Sequence, residues 1–179
     1  MTSRLFLVVL GGRINGCNVE LHDVRWVIGE SIEDTIRTLK NEWFGDKKGL
    51  HIDSYRKIQH VDGMSVAVVH SPIKNNSTNE YKLWFVNLGG YSNQSMAEQH
   101  EFGVVGARTA QSAKAIAKQR WLKGMNQIHK DDLYKIDGNP IVDDLLPIDG
   151  NGRWHIQLSP STVEVSASEA PDWSGYWLI

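Results

Sequence analysis

The chain is poor in cysteine and in net charge, and it has no long apolar run. Its one cysteine, Cys17, excludes an intramolecular disulfide and a metal site built from cysteines alone. A net charge of −2 argues against a protein dedicated to nucleic acid, which has a strongly basic surface. No stretch approaches the ~20 apolar residues of a membrane helix, and no secretory leader pattern opens the chain. We therefore expect a soluble, cytoplasmic protein.

The rest of the composition is that of an ordinary globular protein. Hydrophobic residues make up 41% and charged residues 22% of the 179 positions, close to globular averages. This length suits one domain or two small fused ones, and it buries most apolar surface without metals or disulfides. Seven tryptophans predict a core built around indoles. The alternative is an aromatic surface for stacking single-stranded nucleic acid.

The sequence repeats itself at an offset of 78 residues. Residues 5–58 align without a gap with residues 83–136, and 15 of the 54 aligned positions are identical. Such a repeat indicates a duplicated structural unit. It also marks the residues that both copies have kept.

The sequence pattern of each copy predicts two strands, then one helix, then two further strands. The glycine pairs close the first strands as turns, and Ser31 and Thr109 are predicted N-caps of the helices. Trp43 and Trp121 end the helices on their buried faces. We predict an α+β fold, a duplicated β-β-α-β-β unit with pseudo-twofold symmetry, antiparallel sheets and one amphipathic helix per copy. The predicted strands are 4–10, 23–30, 50–58 and 64–71 in the first copy, and 82–88, 101–108, 128–136 and 153–158 in the second.

Four segments follow from the repeat: a first copy (1–72), a linker (73–81), a second copy (82–160) and an aromatic tail (161–179). We expect the two copies to pack as one body. An insertion in the second copy, about 137–150, contains two prolines and is predicted to be a loop or a short helical turn. The apolar tail is predicted to pack back on the body or to dock on a partner.

The motifs of the first copy resemble those of a known family. The sequence runs through an apolar strand, Leu-Gly-Gly, a loop ending in Glu-x-His, an amphipathic helix, the stretch LHIDSYR and then Val-Asp-Gly. This order resembles the small bacterial family known as domain of unknown function 1543, here in two tandem copies. The resemblance covers about residues 5–70 and 83–158. It implies a bacterial, cytoplasmic setting but no activity, substrate or catalytic residue.

Two kinds of polar pair recur in both copies and are the strongest site candidates. Residues i and i+2 of a strand point to the same face, so each pair presents an imidazole beside a carboxylate. If the two segments are neighbours in the sheet, each copy holds two histidines and two carboxylates. That set suits zinc, iron or manganese, or a general acid–base pair. The pairs are Glu20 with His22, His51 with Asp53, Glu98 with His100, and His129 with Asp131.

The same pairs have a structural interpretation. A histidine at a loop end often donates to a backbone carbonyl, and an adjacent carboxylate fixes its tautomer. Both copies would keep such residues for folding alone.

The loop after each Leu-Gly-Gly is the favoured ligand mouth, because functional residues concentrate on loops. It is not a phosphate loop, since the glycine pair leads to another strand and not to a helix. The glycines indicate positive φ or a close backbone approach, and the asparagines are typical turn formers. The candidate contacts are Gly11, Gly12, Asn15, Gly89, Gly90 and Asn93.

The second helix carries a cluster of basic residues: Lys114, Lys118, Arg120 and Lys123. These side chains could contact phosphates. The chain after the helix is acidic, however, which favours a solvated face or an intramolecular partner. Nucleic-acid binding is therefore the weakest of the functional hypotheses.

The sequence contains no specific catalytic signature, so the leading hypothesis is a non-enzymatic, ligand- or protein-binding or regulatory module. The alternative is a metal-dependent hydrolase or metal-binding protein that uses the repeated pairs. No cofactor is required, although a divalent transition metal is compatible with the pairs. The partner would be a protein or small molecule and not a membrane, and the oligomeric state is open. The first copy keeps the His-x-Asp stretch better and is the favoured location.

Overall fold

The protein is α+β, with mostly antiparallel sheets and two helices, which confirms the predicted class. None of the helices in the described part of the chain is long and apolar enough to cross a membrane. The computed structural model describes residues 3–70, 80–121, 123–124, 127–129, 135–136, 139–140, 145–150, 153–161 and 169–179.

The first copy contains five strands and one short helix. A 3₁₀ turn, Glu33–Thr35, leads directly into the helix. The elements are β1 (Arg4–Gly12), β2 (Leu21–Gly29), α1 (Ile36–Glu42), β3 (His51–Ile58), β4 (His60–Val61) and β5 (Met64–Val69).

The second copy begins in the same way and then departs from the first. Two long strands and a helix are followed by several short strands, and a last strand lies near the C-terminus. The elements are β6 (Lys82–Tyr91), β7 (Gln99–Ala107), α2 (Ala110–Arg120), β8 (Gln127–His129), β9 (Lys135–Ile136), β10 (Asn139–Pro140), β11 (Leu145–Pro147), β12 (His155–Pro160) and β13 (Trp173–Leu178).

Each copy builds a sheet around its first strand. The first sheet has the order β13-β3-β1-β2, and the second has the order β11-β6-β7 with β8 also on β6. A third sheet, β12-β5-β4, joins a strand of the second copy to two strands of the first. Strands β9 and β10 form a separate antiparallel pair.

The central strands are buried on both faces. In β1, Phe6 and Val8 pack in a core with the α1 side, whereas Leu5 and Leu7 face a second core that also contains Leu83 of β6. This division follows the alternation of side chains along a strand. Burying a leucine fully stabilises a fold by about 1.5–3 kcal/mol. The second core therefore contributes to both copies at once.

Both helices end at a buried tryptophan. The backbone amide of Trp43 donates to Leu39 O and that of Trp121 to Ala117 O, and each indole packs over a glycine of its sheet. At the other end of α2, Thr109 Oγ1 accepts from the Ser112 amide at 3.1 Å, as predicted for an N-cap.

The predicted N-cap at Ser31 is wrong. The 3₁₀ turn separates this residue from α1, whose N-cap, Thr35, makes no side-chain cap hydrogen bond. Instead, the Asp34 carboxylate accepts from the Ser31 amide at 2.9 Å. In a capping box the third residue accepts from the amide of the first, and the side chain of the first accepts from the amide of the third. Only the former of these two hydrogen bonds is present here.

The glycine pairs do not close the first strands as turns. Strands β1 and β6 run through Gly11–Gly12 and Gly89–Gly90, and none of these four glycines has positive φ. The other prediction for these glycines was a close approach of neighbouring atoms. Gly12 fits it, since a β-carbon there would lie 2.7 Å from the Trp43 ring.

The prediction that the 137–150 insertion contains no strand is also wrong. Leu145–Pro147 pairs with Trp84–Val86 of β6. Strand β8 reaches only Gly89–Tyr91 of the same edge. The insertion therefore pairs with a part of this edge that lies beyond the residues paired with β8.

Candidate functional site

The two polar pairs of the first copy meet above Gly11. His22 of β2 and His51 of β3 both lie opposite this glycine, one on each side of β1. Cross-strand neighbours share a sheet face, so the two imidazoles approach over a residue that has no side chain. A β-carbon on Gly11 would lie 2.9 Å from Asp53 Oδ2 and closer still to the His51 ring. The sheet thus leaves room for this cluster only because position 11 is glycine.

Asp53 reaches the cluster through a β-bulge. Along the β1–β3 ladder Val9 pairs with Ser54 while Leu10 pairs with Ile52, so Asp53 is the extra, unpaired residue. Bulges re-aim side chains and are common next to functional sites. The spacing of His51 and Asp53 placed both on one strand, but the bulge was not predicted.

Four nitrogen–oxygen distances define the cluster. His22 Nε2 lies 3.5 Å from Glu20 Oε1 and 3.3 Å from Asp53 Oδ2. His51 Nε2 lies 3.5 Å from Glu20 Oε1 and 3.2 Å from Asp53 Oδ1. None of these contacts is a hydrogen bond, and Asp53 Oδ2 is buried without a hydrogen-bond partner. The donor atoms are therefore close together without pointing at one another.

The backbone fixes the tautomer of His51. Its Nδ1 lies 2.8 Å from the carbonyl oxygen of Gly49, which can only accept a hydrogen bond. Nδ1 must carry the proton, so Nε2 of the neutral ring turns a lone pair towards the cluster. Gly49 has a φ of 83°, in the region that favours glycine, at the turn before β3.

The cluster is closed on one side and open on the other. The His51 side chain is 1% exposed, and the ring of Tyr176 lies against it with the centroids 4.0 Å apart. The His22 side chain is 55% exposed. A small ligand could therefore reach the donors from solvent on the His22 side.

As the side chains stand, no group of three or more His, Cys, Asp or Glu residues in the described part of the chain is placed so that it could hold a metal ion. The first-copy cluster is thus a set of neighbouring donors and not a closed coordination sphere. An ion that binds there would have to draw the donors onto itself.

The second copy repeats the frame and the contact between its first histidine and glutamate. Gly89 lies opposite both His100 and His129, as Gly11 lies opposite the first-copy histidines. His100 Nε2 is 3.6 Å from Glu98 Oε2, and Asn87 Nδ2 lies 3.2 Å from its other ring nitrogen. The side chain of His129 and all of Asp131 lie outside the described residues.

A tyrosine also engages the second-copy carboxylate. Tyr91 donates its hydroxyl hydrogen to Glu98 Oε2 at 3.4 Å. The residues at the matching positions of the first copy are Val9 in place of Asn87 and Arg13 in place of Tyr91. Valine has no polar group that could bond to His22 as Asn87 bonds to His100. The His22 ring is therefore not engaged by a side chain at this position.

The loop asparagines do not join the cluster. Asn15 and Asn93 are exposed, and no hydrogen bond or ion pair within the described residues connects either of them to it. Gly90 is buried in β6 between Gln99 and Ile128. Of the predicted loop contacts in the first copy, only Gly11 lies at the cluster itself.

The basic helix is partly neutralised within the chain. Arg120 forms a short ion pair with Asp62 and a second one with Glu169 at 3.4 Å. Lys118 and Lys123 are exposed, and Lys114 is half-buried. The acidic chain after the helix thus supplies one partner, as the intramolecular interpretation expects for Arg120.

A cavity of about 280 Å³ lies beside this network and is lined by residues that include Arg56 and Arg120. Burial lowers the pKa of the Arg56 guanidinium, while the nearby carboxylates of Glu169 and Asp172 act to raise it. The lining of the cavity contains three cationic side chains, Arg56, Lys57 and Arg120, and three carboxylates, Asp62, Glu169 and Asp172. It is a balanced charge network with no excess charge to attract an ion.

A larger groove of about 620 Å³ lies between the copies. It runs along β2 and is walled by Trp26, by Glu42 of α1 and by Trp154 of the second copy. The indole of Trp26 packs against Phe85 at 5.3 Å, so this tryptophan belongs to the core as predicted. None of the repeated polar pairs lines the groove.

Sequence reasoning missed two contributors to the cluster, the Gly49 carbonyl and Tyr176. The carbonyl carries no side-chain signal, although a glycine before a strand indicates a turn. The aromatic tail was noticed, but no pattern connects Tyr176 to His51, since the contact depends on the pairing of β13 with β3.

The chain is similar to a known domain family and to a solved structure. No curated protein matches the chain. The solved structure described as "Crystal structure of a protein Il1583 from Idiomarina loihiensis" matches with a TM-score of 0.69 and 31% sequence identity, over 98% of this chain and 96% of that one. The family Domain of Unknown Function (DUF1543) matches residues 17–68 and 95–146. The chain therefore belongs to the DUF1543 family and carries its domain in two tandem copies.

Proposed function

We propose that the protein is a metal-binding module whose first copy binds one divalent transition-metal ion. The ligands are Glu20, His22, His51 and Asp53. The observation that carries this proposal is the set of nitrogen–oxygen separations of 3.2–3.5 Å, none of which is a hydrogen bond. Zinc bonds of ~2.0–2.1 Å in a tetrahedron place neighbouring ligand atoms about 3.3–3.4 Å apart. Four separations match this spacing, with Asp53 offering Oδ2 to His22 and Oδ1 to His51, and an ion would draw these donors inward onto itself.

The chemistry of the donors agrees with this spacing. Two imidazoles and two carboxylates are borderline ligands that suit zinc, iron and manganese. Asp53 has a buried oxygen without a hydrogen-bond partner, and such an atom is costly unless something compensates it. A cation between the carboxylates provides that compensation.

His51 is held by a hydrogen bond of the kind that metal-binding histidines commonly make. Ligating histidines commonly donate their second ring N–H to a backbone carbonyl, which fixes the tautomer and the ring orientation. The Gly49 carbonyl has this role here. The nitrogen that faces the cluster is then ready to bind without a change of tautomer.

Four protein ligands favour binding over catalysis. Catalytic zinc sites usually keep one position open for water or substrate, whereas structural sites are filled by the protein. The proposal is accordingly a non-enzymatic module and not a hydrolase. Its second copy would serve mainly as scaffold, since Asn87 and Tyr91 engage His100 and Glu98 there.

The proposal extends to the architecture that holds the site. The two copies, 1–72 and 82–160, would form one body about a pseudo-twofold axis, with the tail folded onto it. Support comes from the β5–β12 pairing and from a core shared by β1 and β6.

The test is titration of metal-free protein with Zn²⁺, Mn²⁺ and Fe²⁺ by calorimetry. We expect one equivalent of zinc to bind and to raise the unfolding temperature. His22→Ala removes a ligand that is mostly exposed, so it should weaken binding at least about 100-fold while the protein stays folded. The matched control is His100→Ala in the second copy, which should change little.

The outcome against the proposal is equally specific. If folded wild-type protein binds none of the three ions, the proposal is wrong and the cluster has a structural role only. If His100→Ala weakens binding as much as His22→Ala, the site is not where we place it.

A further inference from the structure

The C-terminal strand completes the wall of the first-copy cluster. Strand β13 pairs antiparallel with β3, from Trp173 opposite Tyr55 to Leu178 opposite His51. The register shifts between Ser174 and Trp177, so the two residues between them face the single bulged residue Asp53. The irregular part of the tail thus lies beside the irregular part of the site.

The strand is anchored at both ends of this irregularity. The ring of Trp173 stacks against that of Tyr55 at 6.1 Å, and the Ile179 amide donates to Leu50 O at 3.0 Å. Trp177 also packs against the first-copy core. These contacts explain why the tail stays on the sheet, but they do not involve the site.

Tyr176 differs from these anchors. It is 66% exposed, and the described contact of its ring is with His51. Trp173 and Trp177 of the same strand pack against the first-copy core and are only partly exposed. Tyr176 instead covers one face of the imidazole, while the Gly49 carbonyl holds the Nδ1 edge. The ring of His51 is therefore held on two sides, and its Nε2 faces the other donors.

We infer that Tyr176 is a positioning residue of the ion site, and that ion binding and docking of the C-terminal strand stabilise each other. This inference rests on the proposed function. Outer partners that orient a ligating histidine typically affect metal affinity by about 10–100-fold. Coupling between two binding events is reciprocal, so an ion that needs an ordered His51 must also favour the docked strand.

The first test compares Tyr176→Ala, Tyr176→Phe and the control Tyr81→Ala in the full-length protein. Tyr81 is also an exposed tyrosine, but it lies under Arg108 in the second copy. Zinc affinity is measured by chelator competition, and ligand geometry by the visible absorption of bound Co²⁺. We expect Tyr176→Ala to weaken zinc binding about 10–100-fold and to change the cobalt spectrum. The phenylalanine variant keeps the ring and should restore both, and Tyr81→Ala should match wild type.

The second test needs no mutation. Hydrogen exchange of the β13 backbone amides is measured in wild-type protein with and without zinc. Slower exchange with zinc supports the coupling, and unchanged exchange overturns it even if Tyr176→Ala fails to fold.

The two proposals fail in different ways. If wild type binds no ion, the proposed function fails. If wild type binds zinc but Tyr176→Ala binds it equally well with an unchanged cobalt spectrum, only the role of Tyr176 fails.

Discussion

The first and second copies begin alike and end differently. In the first, β3 is one strand that follows β1 from Leu5 to Gly11. In the second, the matching edge of β6 is shared between β8 and β11, which belong to distant parts of the chain. The comparison teaches that the common part is the frame: two long strands, a helix and a tryptophan. The part that differs is the strand that carries the second histidine and carboxylate.

The C-terminal strand enlarges this difference. It pairs with β3 and so belongs to the first copy in space, although it follows the second in sequence. Among the described residues no strand pairs with β8 in the same way. Tyr176 of the C-terminal strand lies against the ring of His51, whose side chain is 1% exposed.

The largest expected effects test the shared frame. Trp43→Ala and Trp121→Ala each remove a buried indole that packs over a glycine. We expect each to destabilise the protein by about 3–5 kcal/mol, because large-to-small changes in a core lose burial and leave a cavity. Chemical denaturation followed by circular dichroism measures both. Very unequal losses would contradict an equivalent frame, and two separate transitions would contradict a single folded body.

A smaller effect should separate the copies at their matching glycines. Gly11→Ala places a methyl group against the buried ring of His51, which has no room to move. We expect a loss of about 1–3 kcal/mol, as for overpacking, together with loss of zinc binding. The matched variant Gly89→Ala meets the end of the Glu98 side chain, which can rotate away. It should cost less than about 1 kcal/mol.

The comparison of the two glycine variants has a clear contrary outcome. Equal losses, measured from denaturation midpoints at constant slope, would mean that the cluster around His51 is no more rigid than the second-copy pair.

The smallest effect concerns the helix starts. Thr109→Ala removes a side chain that caps α2, and we expect a loss of about 0.5–2 kcal/mol. Ser31→Ala removes an exposed hydroxyl that only contacts Asp34 and leaves the amide bond to that carboxylate in place. Its loss should be within about 0.5 kcal/mol. A larger loss for Ser31→Ala would show that the first helix depends on its serine after all.

The features that sequence reasoning predicted are those with a local cause. The helix ends at Trp43 and Trp121 follow from helical spacing. The contact of His22 with Glu20 is expected from alternation along a strand, but Glu20 lies just before β2 begins at Leu21. The meeting of the two pairs was stated only as a condition, that their segments be neighbours. The two segments are not neighbours in the first copy, because β2 and β3 lie on opposite sides of β1. The pairs meet nevertheless, since Gly11 between them has no side chain.

The features that were missed depend on contacts between distant segments. The bulge at Asp53 is invisible in the residue pattern, since alternation assumes a regular ladder. The strand in the insertion was missed because its prolines argue against a strand, yet an open edge of β6 accepts it. Edge positions tolerate proline where a central strand does not.

The sequence by itself determined the duplication, the family, the α+β class and the residues from which a site could be built. The duplication follows from the repeat at an offset of 78 residues, the class from local periodicity, and the family from the resemblance of the motifs. Only the tertiary structure showed how the first copy brings its two histidines and two carboxylates together. This arrangement follows from a bulge in β3 and from a C-terminal strand that pairs with it. Backbone pairing between distant segments is chosen by the free energy of the whole fold and leaves no local pattern.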